Sequence, residues 1–458
     1  MMITIKNLVA VLLFLVILQS CGKGFLDMKP VKVQEVPSTL KDYMAMMDHA
    51  NFNIFPYYLS LIGGEEFDVV EANWNSFPLG VQYYQKNIYT WADDVYEGAE
   101  SHDWNAAHSR ILACNIVLEG LDKYMGDQNT QHYKQIKGTA LFHRASILYN
   151  LAQVFAYPYI EGRDNRYGLP FFSTSEITRP TYRRSLKLTY DQIINDMHEA
   201  LDLLPEIAEI RQQPSKQACY ALLARIYLQI GAFEEAYSYA DKCLQLDGTL
   251  LDYNVLNLAA AFPFPIDGKG NPEIIFYEYT TGGSLLGRAI LNVSNDLLAC
   301  YGEGDLRPSA LVQDDNKGRK YYKGSYMGKY GFFTGPSINE LYLIRAESAA
   351  YLGKLDLALE DVNQLRKHRF DKWKFSAYHV TDKSELLSFI FEERRRELPF
   401  RNRRWEDLRR WNAVMDSKKS IRRKVAGKDY TLMAESLKWT WPMTDLTILY
   451  GGYEQNPR

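Results

Sequence analysis

Apolar residues recur at helical spacing along most of the chain, and this pattern predicts a mainly α-helical protein with little β structure. The predicted helices lie at about 38–49, from Trp104 onward, at about 133–155, and at about 188–204, where Pro205 ends the last one. Between the first two, residues 51–103 carry Gly, Asn and Pro among many aromatic residues and read as irregular structure.

A spacing of small residues occurs twice and predicts antiparallel helix pairs. In the first copy Ala224, Tyr227, Gly231 and Ala236 follow the pattern small-x₂-Tyr-x₃-Gly-x₄-Ala, with Gly231 between two helices. The second copy is Ala346-x₂-Ala349-x₃-Gly353-x₄-Ala358. This pattern resembles the tetratricopeptide repeat, in which small residues let two helices approach closely. The helices at 138–155 and 188–204 form a third candidate pair, whose members are separated by a long loop. For the helix pairs as a whole, a scaffold role is favoured over an open groove that binds a peptide.

Residues 249–336 interrupt the helical pattern and are rich in Gly, Pro and Tyr. Within them, Glu273–Glu278 alternates like a β-strand. A long insert of this kind is typical of a functional loop region, and we expect it to face the ligand.

The N-terminus predicts export and lipid attachment. Lys6 is followed by the apolar run Leu8–Leu18, which is shorter than the roughly 20 residues that a membrane-spanning helix needs. The following Gln19, Ser20 and Cys21 make the segment resemble a bacterial lipobox, in which Cys21 becomes the acylated first residue. The alternative is an ordinary cleaved signal peptide with an incidental cysteine.

Composition narrows the possible partners. A net charge of −3 indicates no nucleic-acid-binding surface on the scale of the whole chain. Aromatic residues make up 14% of the chain, with 33 tyrosines, which suits a binding surface but also fits an exported protein with no special use for them. An oxidising compartment would allow a Cys219–Cys243 disulfide without requiring one.

Motifs for catalysis are missing from the sequence, so we predict a binding protein rather than an enzyme, with no cofactor and no metal. It contains no His-Glu-x-x-His, no Gly-x-Ser-x-Gly and no phosphate-binding loop. The segment Asp267–Glu273 could hold Ca²⁺ through oxygen ligands, although a plain turn is favoured. The pairs Glu65-Glu66 and Asp93-Asp94 keep a glycan hydrolase as a remote alternative.

An arginine-rich block, EERRRELPFRNRRWEDLRRW, begins at residue 392. Its acidic residues interleave with arginines at helical spacing, which predicts a packed network of ion pairs rather than a phosphate-binding patch. Pro399 predicts the end of the first helix at about Leu398, and Asn402 suits a left-handed turn.

This block resembles the SusD/RagB family of outer-membrane nutrient-binding lipoproteins, with Asn402 and Pro399 as departures from its usual pattern. Weaker motifs, which follow one another along the chain in the order found in the family, extend the resemblance over essentially the whole chain. They are Phe25-Leu26-Asp27, Trp104-x₃-His108-x₂-Ile111-x₃-Asn115, Asp305-Leu306-Arg307, Glu340 through Glu347, and Trp441-Pro442 through Pro457. Thr444 stands where a second proline is common.

The resemblance implies a fold of tetratricopeptide-like helix pairs and a division of the chain into five regions. These are a lipoprotein signal peptide (1–20), a lipidated tether (21–37), an N-terminal helical region (38–248), the loop-rich insert (249–336) and a C-terminal family region (337–458). It further implies an outer-membrane protein, lipid-anchored and facing the cell exterior. Such a protein captures an oligosaccharide for a SusC-like TonB-dependent transporter barrel. The alternative is a peptide- or protein-binding lid of a peptide-importing transporter.

The resemblance places ligand contacts in the loops before the Trp104 helix and in the insert, but no motif identifies them residue by residue. Five aromatic residues are selected on composition alone, with loop packing as the alternative for each: Trp74, Tyr83, Trp91, Tyr322 and Phe332. The sequence does not identify the glycan.

Overall fold

Helices dominate the computed structural model, which describes residues 37–55, 57–77, 83–162, 166–176, 178, 181–415 and 418–458. The predicted signal peptide, Cys21 and nearly all of the tether therefore lie outside the described residues. The α-helices are α1 Leu40–Met47, α2 Leu59–Gly63, α3 Glu71–Ser76, α4 Gln85–Tyr89, α5 His102–Asp122, α6 Gln131–Phe155, α7 Leu186–Leu203, α8 Lys216–Ile230, α9 Phe233–Leu246, α10 Asn295–Leu298, α11 Arg307–Leu311, α12 Ile338–Tyr351, α13 Leu355–Lys367, α14 Lys383–Glu397, α15 Arg404–Val414 and α16 Asp445–Gly451.

The long helices pack in sequence order, and this confirms the predicted fold of tetratricopeptide-like pairs. Helix α6 packs against α5 and α7, α8 against α7 and α9, and α12 against α9, α13 and α14. Gly231 and Gly353 separate the helices of the two predicted repeats in left-handed conformations, with φ of 78° and 76°. Glycine adopts this conformation without steric cost, so the chain reverses tightly and the small residues of paired helices meet.

Side-chain caps fix where several of these helices begin. The hydroxyl oxygen of Thr39, Ser101, Thr130, Ser185 or Ser215 accepts a backbone N–H three residues further on. Such caps satisfy N–H groups that have no partner inside the helix. The predicted first helix and the two helices that end near 155 and 204 are confirmed to within a few residues.

Within the described ranges, the strands are short and form four antiparallel pairs: β1 Phe67–Val69 with β3 Leu291–Val293, β2 Tyr279–Thr280 with β6 Phe332–Phe333, β4 Val312–Asp314 with β5 Lys320–Tyr322, and β7 Ile421–Val425 with β8 Lys428–Leu432. The expectation of a strand over Glu273–Glu278 was wrong, because only Ile274 there forms a β-bridge, with Ser337, and no ladder continues from it. The Ile275 N–H donates to the Pro336 carbonyl at 3.2 Å, and the Tyr277 N–H to the Arg211 carbonyl at 2.6 Å.

Buried ion pairs tie the arginine-rich block to the rest of the helices, as predicted. Helices α14 and α15 are joined by Arg394 and Asp407 at 3.0 Å, and α15 and α12 by Arg410 and Glu347 at 2.6 Å. Pairs at i, i+3 also occur, as between Arg403 and Glu406 at 2.5 Å. Several of the closest partners, however, come from other helices rather than from the same one.

The turn between α14 and α15 also follows the prediction. Helix α14 ends at Glu397 with Leu398 as its cap, and Asn402 has a φ of 61°. Asparagine tolerates this left-handed conformation better than most residues, which explains how the turn is kept without glycine.

Cys219 and Cys243 are buried free thiols, so the structure contains no disulfide between them. Across the residues described above, no helix is both long and apolar enough to cross a membrane.

Candidate functional site

Three of the five aromatic residues selected from the sequence lie in the core. Trp91 is 2% exposed and donates its indole N–H to the Gly63 carbonyl at 3.1 Å, while Tyr322 and Phe332 are fully buried. The rings of Tyr322 and Phe332 stack with centroids 5.6 Å apart. These three side chains have no exposed face that a ligand could contact. They fit the alternative interpretation, in which the aromatic residues pack the loops against the core.

Trp74 and Tyr83 are half-buried and keep part of their surface in solvent. Trp74 lies in α3, with the Lys86 Nζ 5.0 Å from its ring centroid. The Tyr83 hydroxyl donates to the carbonyl of Glu97 at 2.8 Å, which fixes it to the following loop. Of the five, Trp74 is therefore the residue best placed for a ligand.

A cleft in the loop-rich insert supplies further candidates. We call it the loop cleft; it measures about 490 Å³ and is lined by Arg288, Ala289, Gln313, Arg319 and Tyr321. It lies between the β4–β5 hairpin and the segment that precedes β3. This size is within the range of pockets that hold small ligands.

Strand alternation decides which tyrosine faces the loop cleft. In β5, Tyr321 is half-buried and lines the cleft, whereas Tyr322 points into the core. Successive side chains of a strand point to opposite faces, so neighbours cannot share one role. Tyr322, which was selected from the sequence, therefore lies in the core, and Tyr321, which was not selected, lines the cleft. The hairpin pattern around the Asn-Lys-Gly turn at 316–318 was the signal that could have identified Tyr321.

Two contacts hold the elements around the cleft together. The Asn73 side-chain amide in α3 donates to the Ala289 carbonyl at 2.9 Å, so Trp74 lies on the helix that borders the cleft. The Lys320 N–H donates to the Asn292 side-chain oxygen at 2.7 Å, which fixes the hairpin to β3. The pairing of β1 with β3 brings α3 to this place from more than 200 residues away in sequence.

The cleft combines aromatic faces with hydrogen-bond donors. The Arg319 guanidinium lies 4.4 Å from the Tyr321 ring centroid, and that of Arg288 lies 5.6 Å from Phe262. The Arg288 Nη2 approaches the Gln313 side-chain oxygen at 3.4 Å, and both residues are exposed. Such a surface can stack on an apolar ring face while fixing polar groups at its edge.

A larger cleft of about 590 Å³ lies between the start of α5 and α16, and its polar groups already bind one another. Glu100 accepts the Thr444 hydroxyl at 3.2 Å and the Asn105 amide at 3.3 Å. The Thr181 and Tyr453 hydroxyls bond at 2.5 Å. With fewer free donors and acceptors, this cleft is less suited to a ligand rich in hydroxyl groups.

The candidate carboxylates for hydrolysis have structural partners. Glu65 binds the Arg404 guanidinium at 2.6 Å, and Asp93 binds Lys438 at 2.7 Å. Glu66 accepts the Phe400 N–H at 2.7 Å, and its burial raises the pKa of this carboxyl to about 7. Each of these three carboxylates therefore has a partner within the protein.

The Asp267–Glu273 segment forms a turn in which Asp267 pairs with Lys329 at 2.5 Å. Among the described residues, no cluster of three or more His, Cys, Asp or Glu side chains could hold a metal ion.

Comparison with known proteins defines the class. A family model described as "Starch-binding associating with outer membrane" matches residues 24–228, and the SusD family model matches residues 338–453. Together with the helix-pair fold, these matches show that the chain belongs to the SusD/RagB family.

Particular relatives and solved structures match the chain at low sequence identity. "SusD-like protein P2" of Formosa agariphila is 24% identical over 388 residues, covering 71% of this chain and 74% of that protein. The crystal structure of a SusD superfamily protein from Bacteroides thetaiotaomicron matches with a TM-score of 0.74 and 19% identity, covering 92% of this chain and 100% of that one. A SusD-like carbohydrate binding protein from Bacteroides vulgatus matches with a TM-score of 0.69 and 18% identity, covering 91% and 97%.

Proposed function

We propose that this protein captures an oligosaccharide at the cell surface and delivers it to a SusC-like TonB-dependent transporter in the outer membrane. The family match and the "starch-binding" description of the matching model support a glycan as the ligand. The protein binds without chemical conversion in this proposal, since the carboxylates considered for hydrolysis are engaged in structural contacts.

One observation carries the assignment of the site. The ring of Tyr321 lies in the loop cleft beside Arg288, Gln313 and Arg319, and Trp74 lies on the bordering helix. Aromatic faces pack on the apolar faces of sugar rings, and the charged and amide groups can hydrogen-bond to sugar substituents. Both parts of the site come from the two regions in which the family resemblance implies ligand contacts.

A glycan array followed by calorimetry tests the site. Replacing Trp74 with Ala removes one stacking face, at a cost of about 1–2 kcal/mol, or roughly 5- to 30-fold in affinity. Trp373→Ala is the matched control, because Trp373 is 85% exposed and lies in the loop after α13. Equal binding by the Trp74→Ala variant and the native protein would remove Trp74 from the site. Binding to peptides alone would favour the peptide-importing alternative.

Attachment to the outer membrane through acylated Cys21 is the second part of the proposal. A single acyl chain gives only marginal membrane binding, so stable attachment needs several chains, as in bacterial lipoproteins. Cys21→Ala should move the protein from the membrane fraction to the soluble fraction of fractionated cells. Unchanged retention in the membrane fraction would contradict lipidation at this residue.

A further inference from the structure

We propose that the glycan bound in the loop cleft is anionic and carries carboxylate or sulfate groups. This inference rests on the proposed function and adds the chemical class of the ligand. Its basis is that two arginines, Arg288 and Arg319, line one cleft and neither is paired with a carboxylate in the described part of the chain.

Many buried arginines have acidic partners, although Arg401, Arg409 and Arg423 bind carbonyl or hydroxyl oxygens instead. Arg307, Arg369 and Arg410 each lie within 3 Å of a buried carboxylate oxygen. By contrast, Arg288 and Arg319 form no ion pair with any residue in the described part of the chain. Two arginines in one cleft without a counter-charge leave a positive potential there, which suits an anionic ligand.

The Arg319 guanidinium is held in place before a ligand arrives. Its Nη2 donates to the carbonyl groups of Arg288 (3.1 Å) and Ala289, and its plane packs near the Tyr321 ring. Its Nε is buried and has no hydrogen-bond partner. A fixed guanidinium loses little side-chain entropy on binding, and its fork geometry matches carboxylate and sulfate oxygens.

The carboxylates nearest in sequence do not neutralise these arginines. Asp314 pairs with Lys320 across the hairpin. Asp315 accepts the backbone N–H groups of Lys317 at 2.8 Å and Arg319 at 3.0 Å, which fixes it in the turn. A third cation, Lys86 in α4, lies over the ring of Trp74, whose helix α3 binds the cleft residue Ala289.

Binding of charged and neutralised forms of the same glycan tests the inference on the full-length protein in detergent. The probes are oligogalacturonate for carboxylate, sulfated galactan oligosaccharides for sulfate, and both after methyl esterification or desulfation. We expect one charged form to bind at least about tenfold more tightly than its neutralised form, with affinity falling as salt rises.

The variants Arg288→Gln and Arg319→Gln should each weaken binding of the charged probe about tenfold or more, since each removes a charge-assisted hydrogen bond. Arg319→Lys keeps the charge but not the fork, so it should retain the salt dependence with reduced affinity. Arg422→Gln is the matched control, because Arg422 is exposed on β7 and is not among the residues that line the loop cleft. Unchanged unfolding temperatures show that the variants remain folded.

Equal affinity for charged and neutralised probes, or full affinity in both Arg→Gln variants, would overturn the anionic assignment. If neutral glycans bind and depend on Trp74, the proposed function survives without this inference. If neither charged nor neutral glycans bind, both proposals fail.

Discussion

Replacing Glu347 with Gln tests how far the buried ion pairs stabilise the fold. Glu347 is fully buried and receives two hydrogen bonds from Arg410, at 2.6 and 3.1 Å, with Arg394 Nε 3.7 Å away. The two arginines and the two carboxylates of Glu347 and Asp407 together are neutral. The substitution leaves this buried group with one uncompensated positive charge at nearly unchanged volume.

The expected loss of folding stability follows from that uncompensated charge. Charges roughly 4 Å apart interact by about 4 kcal/mol at an effective dielectric constant of about 20. Measured losses for removing one partner of a buried pair are about 3–5 kcal/mol. Since proteins are stable by about 5–15 kcal/mol in total, this single change should remove a large fraction of the free energy of unfolding.

Urea unfolding followed by tryptophan fluorescence measures the effect, because Trp405 and Trp411 are buried in α15 beside the network. The exposed pair Lys187–Asp191, 2.7 Å apart, is the matched control, and Asp191→Asn should cost less than about 0.5 kcal/mol. A double-mutant cycle with Arg410→Gln should show coupling. A Glu347→Gln cost no greater than that of Asp191→Asn, or a cycle without coupling, would refute the reasoning.

Two further outcomes follow from burial. Tyr322→Ala should lower the free energy of unfolding by about 3–5 kcal/mol, as other large-to-small core changes do. Tyr321→Ala should leave urea unfolding nearly unchanged and weaken glycan binding, and the reverse result for the two variants would contradict the strand orientation. Burial raises the pKa of Asp103 to about 8, so the folded state holds a proton that the unfolded chain releases above about pH 4. The free energy of unfolding should therefore fall as pH rises from about 4 to 8, by at most about 1.4 kcal/mol per pH unit from this group. Asp103→Asn should flatten the dependence of Tm on pH. An unchanged slope in this variant would show that Asp103 does not cause the pH dependence.

The regular parts of the fold were predictable from the sequence because their causes are local. Helical spacing of apolar residues, the glycines at 231 and 353 and Pro399 act within a few residues of where they stand. The arginine-rich block, with its interleaved acids, likewise predicted both a packed ion-pair network and a turn at Asn402. The order of weak motifs was enough to identify the family.

The proposed ligand site could be anticipated from the sequence only as a region. Sequence analysis placed it in the loops before α5 and in the insert, and chose aromatic residues there by composition. Trp74 is half-buried on α3, the helix that borders the loop cleft, whereas Tyr322, Trp91 and Phe332 lie in the core. The turn residues at 316–318 pointed to a hairpin, but which face of it is buried was decided by the packing of the paired strands.

The sequence by itself determined the helix pairs and the family, since the patterns and motifs that identify them each involve residues close together in the chain. Only the tertiary structure decided which aromatic ring meets solvent and which arginine has an acidic partner. Both depend on contacts between residues far apart in sequence, such as Asn73 with Ala289 and Arg410 with Glu347. Exposure and charge compensation are properties of the packed molecule, and local patterns do not specify them.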